Sequence, residues 1–366
     1  AYIVDPRRLD TRTEVQRLGL ELGKQTELVE VWRAAIDKVN DRLIKIDLLN
    51  RTGVLLDEHL QDIDGARAAY TELFELDPPD TALARKVASA LTRLHRAAGD
   101  AAALVEALRA LSRHTVEIDQ QVAIALETAQ ILESQLEDQP GAASAYYEVL
   151  DLDPENFTAL DALERLFVSL EDWDQLSDVL RQRIEVVEDD SEKARLWRKV
   201  GEVQRDHALN PHAAIEAFQW IIDIDVSEQE TSGALRAMVG INNEREQWGD
   251  VEEGLRRLTD LATTDEERIQ LMVRTATVVG EKLLRHQDAV DILVNVLDLE
   301  PSNEPARAQL VAFLEHDATR ERVIEVLRPL YEAEQNWESL LDLEERRASQ
   351  LPAGPDRTAA LMRVAQ

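Results

Sequence analysis

Three arginines have the types and spacing best suited to binding chemistry. Arg195, Arg198 and Arg205 stand three and seven residues apart, with Glu202 among them. On an α-helix those intervals collect on one stripe. A guanidinium is a planar, permanently charged fork, so a stripe of them can hold a carboxylate or an acidic peptide segment bidentately. Arg51 and Arg274 fall one residue after the place of Arg198 in their own stretches and are further candidates. The competing use of the stripe is pairing along the helix with Glu192 and Glu202 on a solvated face.

Other chemistry finds less support. The histidines are His59, His95, His114, His207, His212, His286 and His316, and none forms an H-E-x-x-H pair or a close ligand cluster. His207 and His212 straddle an expected turn and read as solvent-exposed. With Asp+Glu at 73, carboxylate pairs carry no information, since a catalytic carboxylate needs a cleft that raises its pKa. Cysteine is absent, which excludes thiolate nucleophiles, thiolate metal sites and disulfides. Phosphate-cradling glycine loops and a G-x-S-x-G elbow are also missing. The expectation is no catalytic residue, no metal and no cofactor: a non-enzymatic protein.

Composition narrows the partner. The formal net charge is −32, a field that repels phosphate backbones and anionic membrane surfaces, so nucleic acid is not expected. A protein or peptide partner fits: an acidic segment against the arginine stripe, or a basic surface elsewhere. No run is long and apolar enough to span a bilayer. Cytoplasmic placement is favoured, with the periplasm left open. The excess of Arg over Lys, with many Ala and Asp, hints at a GC-rich bacterial source.

The elements that must position these residues emerge from an internal repeat. Leu76-Asp77-Pro78, Leu152-Asp153-Pro154, Ile224-Asp225-Val226 and Leu299-Glu300-Pro301 recur 72 to 76 residues apart. Ala66, Ala142, Ala214 and Ala289 precede them at one constant distance. Tyr70, Tyr146, Phe218 and Leu293 do so at a second, and Gly53, Ala129, Gly201 and Ala276 at a third. Small residues let two antiparallel helices approach, and the bulky residue fills the space toward the next pair. Proline stops the second helix. Asp80, Asn156 and Asn303 then supply side chains able to cap the next one. Helix-favouring composition and only 4% aromatic residues agree with an all-α chain.

The set Trp197, Val200, Gly201, Ala214, Phe218 and Ile221 resembles the signature of the tetratricopeptide-repeat family, with one extra residue between the helices. Leu49, Gly53, Ala66, Tyr70, Leu73 and Pro78 are similar. The resemblance implies a right-handed α-α superhelix whose concave groove binds peptides or protein segments, with the Arg195 stripe turned toward that groove. Each unit is twice the usual hairpin length, so a second, divergent hairpin lies within it, its turn marked by Trp173, Trp248 and Trp337 and by Gln25 near the start. These tryptophans, with Trp32, Trp197 and Trp220, are expected in the core. The expected organisation is one solenoid over 1–366, with units near 1–78, 79–154, 155–226, 227–301 and 302–366.

The last unit departs from the pattern. The surplus between Pro301 and Trp337 suits an extra short helix around 303–316, with Pro329 kinking the following helix or marking its first turn. The pattern breaks off at Ala365, in the place of Gly201, after Leu361 in the place of Trp197. A fragment of a longer chain is expected, or a partner or second copy covering an uncapped end. The functional expectation is an interaction scaffold. A docking arm of a larger enzyme or a self-assembling subunit are the alternatives.

Overall fold

The computed structural model describes residues 8–224, 226–350 and 354. Asp225, Leu361 and Ala365 therefore lie outside the described residues. Among the described residues all regular structure is helical. They divide into two compact units, Ala1–Asp172 and Trp173–Gln366, each described by itself.

Grouped by the sequence repeat, the helices fall four to a unit through Leu299. The first comprises α1 (Leu9–Glu21), α2 (Gln25–Ile36), α3 (Arg42–Val54) and α4 (Ile63–Glu75). The second comprises α5 (Thr81–Ala98), α6 (Ala101–Arg113), α7 (Ile118–Ser134) and α8 (Gln139–Leu152). Next come α9 (Phe157–Ser169), which closes the first compact unit, then α10 (Trp173–Val186), α11 (Asp190–Asp206) and α12 (Pro211–Asp223). The fourth holds α13 (Glu228–Glu244), α14 (Trp248–Leu261), α15 (Asp265–Thr277) and α16 (His286–Leu299). The chain continues through α17 (Glu304–Ala312), α18 (Asp317–Ala333) and α19 (Trp337–Gln350).

The helix boundaries follow local chemistry. Asp80, Asn156 and Asn303 accept hydrogen bonds from the backbone N–H groups of Ala82, Ala159 and Ala306, capping α5, α9 and α17. Trp173, Trp248, Trp337 and Gln25 each open the second helix of a divergent hairpin. The extra helix is α17, extended by a 3₁₀ turn over Phe313–Glu315. Pro329 lies inside α18 rather than in its first turn.

The turns reveal a regularity that the residue types hide. In the divergent hairpins Gly23, Gly99, Glu171, Glu246 and Gln335 occupy one left-handed position, with φ between 54° and 69°. In each case the next N–H bonds back five residues, as Gln247 does to Asn242 at 2.9 Å. In the signature hairpins Gln61, Glu137, Leu209 and Leu284 are left-handed in the same way. The extra residue is absorbed by a wide turn: Leu60, Leu136, Ala208 and Leu283 donate to the carbonyls of Leu55, Ile131, Val203 and Val278. Around Leu55–His59 and Val278–Lys282 this becomes a full π-helical turn.

The small residues work as closely as their positions require. Ala66, Ala129, Ala142, Ala214, Ala276 and Ala289 are wholly buried. A Cβ on Gly53 would lie 2.5 Å from the Tyr70 ring, and one on Gly201 would lie 2.7 Å from the Phe218 ring. The bulky residue therefore lies on the small residue of its own hairpin and also reaches the following helix. Phe218 shares a cluster with Ala234 and Ile241 of α13, and Tyr70 with Val87 and Leu91 of α5. Burying a ring of this size is worth roughly 1.5–3 kcal/mol, so the repeat register is also the main stability register.

The tryptophans meet the core expectation unevenly: Trp173, Trp197 and Trp248 are half-buried, and two others depart from it. Trp32 is fully buried, but Trp220 is 52% exposed and Trp337 63% exposed. Trp220 instead stacks on Trp197 of the same hairpin, with ring centroids 5.6 Å apart. It lies beside the apolar stripe of α12 rather than within it, so area is buried on one ring face only.

Candidate functional site

The arginine stripe sits on α11, whose opposite side is committed to packing through Ala194, Val200 and Gly201. The remaining side faces a groove of about 890 Å³ between α11 and α13, floored by Phe218. Arg195, Arg198 and Arg205 all line it, so the structure brings the three together. From the facing helix comes a fourth cation, Arg236, together with Glu230. Sequence spacing could not find Arg236, because it belongs to the next hairpin and meets the stripe only through helix packing.

The electrostatics separate these cations. Arg205 is held by Asp206, Nε to Oδ1 at 2.7 Å, and that carboxylate, with Glu202 and Glu244 nearby, raises the already high guanidinium pKa. Arg236 pairs with Glu267. Arg195 is exposed and Arg198 half-buried, and neither forms an ion pair or hydrogen bond with Glu192, Glu202 or any other described residue. Two unneutralised guanidiniums thus share a groove in a chain of net charge −32.

Arg51 and Arg274 are not brought to this place. In repeat register both align with Lys199, one step around the helix from the groove. Arg51 is occupied, donating to Asp47 at 3.0 Å and to Gln16 at 2.5 Å. Arg274 is exposed on α15.

Positions matching Arg195, Arg198 and Arg205 are Asp47, Asn50 and Asp57 in the first repeat, and Ala123, Leu126 and Glu133 in the second. In the fourth they are Gln270, Val273 and Gly280. Of these four repeats the third alone places arginine at all three positions. The second repeat has its own groove, about 720 Å³ between α7 and α9, where Glu133 accepts from the Tyr146 hydroxyl at 2.9 Å and pairs with Arg165 at 2.8 Å. Burial, then the bond to Glu133, pushes the Tyr146 phenol up to about 12.

Among the described residues no group of three or more His, Asp or Glu could hold a metal, and no helix is long and apolar enough to cross a membrane. His207 and His212 are both exposed, and His207 stacks on Trp173 at 4.2 Å.

In the signature hairpins of Gly53 and Gly201 the small residue lies under the ring of its partner helix, and α7 with α9 and α11 with α13 flank grooves. The fold is tetratricopeptide-like. No protein-family model matches the chain, and no curated protein matches it. Among solved structures it is similar to YrrB, described as a TPR protein with an unusual peptide-binding site. The identity is 16%, over 51% of this chain and 91% of that one, with a TM-score of 0.29. A TPR-containing protein from Cytophaga hutchinsonii aligns at 13% identity over 70% of this chain and 97% of that one, TM-score 0.29. A tetratricopeptide repeat protein from Parabacteroides merdae aligns at 12% identity over 73% and 98%, TM-score 0.28. The tetratricopeptide-like character rests on the hairpin packing within this chain rather than on these overlays.

Proposed function

We propose that this protein is an interaction scaffold whose groove between α11 and α13 holds an acidic segment of a protein partner. The observation that carries the reading is the pair Arg195 and Arg198, without an ion-pair partner among the described residues, at positions where the first, second and fourth repeats have no arginine. A partner carboxylate meets them without first breaking an ion pair. A charge-assisted bond to such a fork contributes about 1.5–3 kcal/mol where water is partly excluded. Phe218 gives the groove an apolar floor, and Arg236 stands across from the stripe. The acidic remainder of the molecule opposes long-range approach of an acidic peptide, so the complementary segment is short and the attraction local.

The test is titration of a labelled glutamate-rich peptide into the full chain and into the R195E/R198E/R205E variant. The variant is expected to bind at least tenfold more weakly while its helical circular dichroism and melting curve stay as in the parent. Undiminished binding would remove the stripe from the site.

A further inference from the structure

A second cavity lies on another side of α13. About 470 Å³ in volume, it sits between α12 and α14, with Leu235, Met238 and Val239 of α13 as its apolar wall. At its base is Asn242, only 5% exposed, whose side-chain amide makes no hydrogen bond with any described residue. An amide at a cavity wall with no protein partner can exchange water for a donor and an acceptor supplied by a ligand.

Repeat register explains why the cavity exists. Counting from the left-handed turn residue, the positions matching Asn242 are Gly19, His95, Phe167 and Tyr331. Three of those four carry a ring, and Phe167 and Tyr331 are 5% and 7% exposed. On the facing helix Gly254 stands where other repeats have Val31, Ala107, Val179 and Leu343. In the last repeat Tyr331 and Leu343 share one buried cluster, and the space beside them shrinks to about 340 Å³. The fourth repeat therefore lacks its ring, while the space beside Gly254 is taken by Val239, whose Cγ2 would lie 2.5 Å from a Cβ there. Arg245 and Arg257 stand beside Asp250 and Glu253 at the rim, a mixed-charge edge suited to peptide backbone and polar flanks.

We infer that this cavity receives an aromatic side chain of a partner peptide, with the Asn242 amide pairing to that residue's peptide group or phenol. The ring replaces the one that neighbouring repeats supply from their own sequence. This site lies apart from the arginine groove and does not depend on it.

The probe is N-acetyltyrosinamide, titrated into the isotope-labelled full chain with amide signals followed by NMR. Saturable shifts are expected at Met238, the Asn242 side chain and Gly254, and they persist in the R195E/R198E/R205E variant. Asn242→Phe, which restores the missing ring, should weaken binding at least tenfold while the melting temperature holds or rises. N-acetylleucinamide should bind at least fivefold more weakly. Equal binding to Asn242→Phe, equal binding of the leucine compound, or no saturable shift up to the solubility limit would each overturn the inference.

Discussion

Two grooves of one architecture carry opposite chemistry. Between α7 and α9 the inward carboxylate Glu133 is consumed internally by the Tyr146 hydroxyl and Arg165. Between α11 and α13 the matching position is Arg205 and the matching floor is Phe218 without a hydroxyl. Two substitutions in register turn a closed network into an open cationic surface while the helix packing repeat stays the same. The lesson is that packing positions specify the scaffold and the residues one helical step away specify its use.

The comparison breaks most completely if the shared floor is disturbed. Gly201→Leu would drive a side chain into the Phe218 ring, which even a bare Cβ at this position would approach to 2.7 Å. We expect about 3 kcal/mol of destabilisation by chemical denaturation, as for other overpacked interiors. A loss within a few tenths of a kcal/mol would mean the ring contact is slack.

The next effect tests the chemistry alone. Grafting the carboxylate and phenol of the second repeat onto the third with R205E/F218Y should build the internal bond in the cationic groove. Affinity for the glutamate-rich peptide is expected to fall about tenfold, or about 1.4 kcal/mol, with the melting temperature preserved. Full retention of affinity would show that Arg195 and Arg198 suffice without Arg205.

The third concerns pH. The Tyr146 phenol, ordinarily near 10, is raised to about 12 in the fold, so the folded state favours the protonated form. Its stabilising contribution is complete below pH 10 and is lost as pH rises toward 12. The difference in phenolate absorbance between the parent and Tyr146→Phe should titrate near 12, and Glu133→Gln should lower that midpoint. A Tyr146 midpoint at 10 would refute the network.

The smallest effect lies at the turns. Glu246→Gly relieves a left-handed non-glycine residue and should stabilise the chain by about 0.5–1 kcal/mol, whereas Gly99→Ala at the matching turn should cost about 1 kcal/mol. Equal responses at the two sites would deny their equivalence.

Much of this architecture was legible in residue order. Gly53, Ala129, Gly201 and Ala276 could be read because close helix approach tolerates few residue types, and α17 because its surplus length had no other place to go. The arginine stripe was visible because its members share one helix. What stayed hidden depends on neighbours or on backbone alone. Arg236 reaches the groove from another hairpin. The left-handed turns at Glu171, Glu246 and Gln335 lack the glycine that marks Gly23 and Gly99. Trp220 and Trp337 show that an apolar residue near a helical stripe does not by its spacing reveal how far it is covered. The cavity at Asn242 arises where a ring is missing between three packed helices, which linear order does not display.

The most direct measurement is to find where an acidic peptide lands. A glutamate-rich peptide carrying a photo-reactive group would be crosslinked to the full chain and the adducts mapped by mass spectrometry. Adducts concentrated within residues 191–237, on α11 and the first turns of α13, are the expected result. Adducts concentrated on the 130–165 groove, near Arg51 and Arg274, or spread evenly along the chain would contradict it.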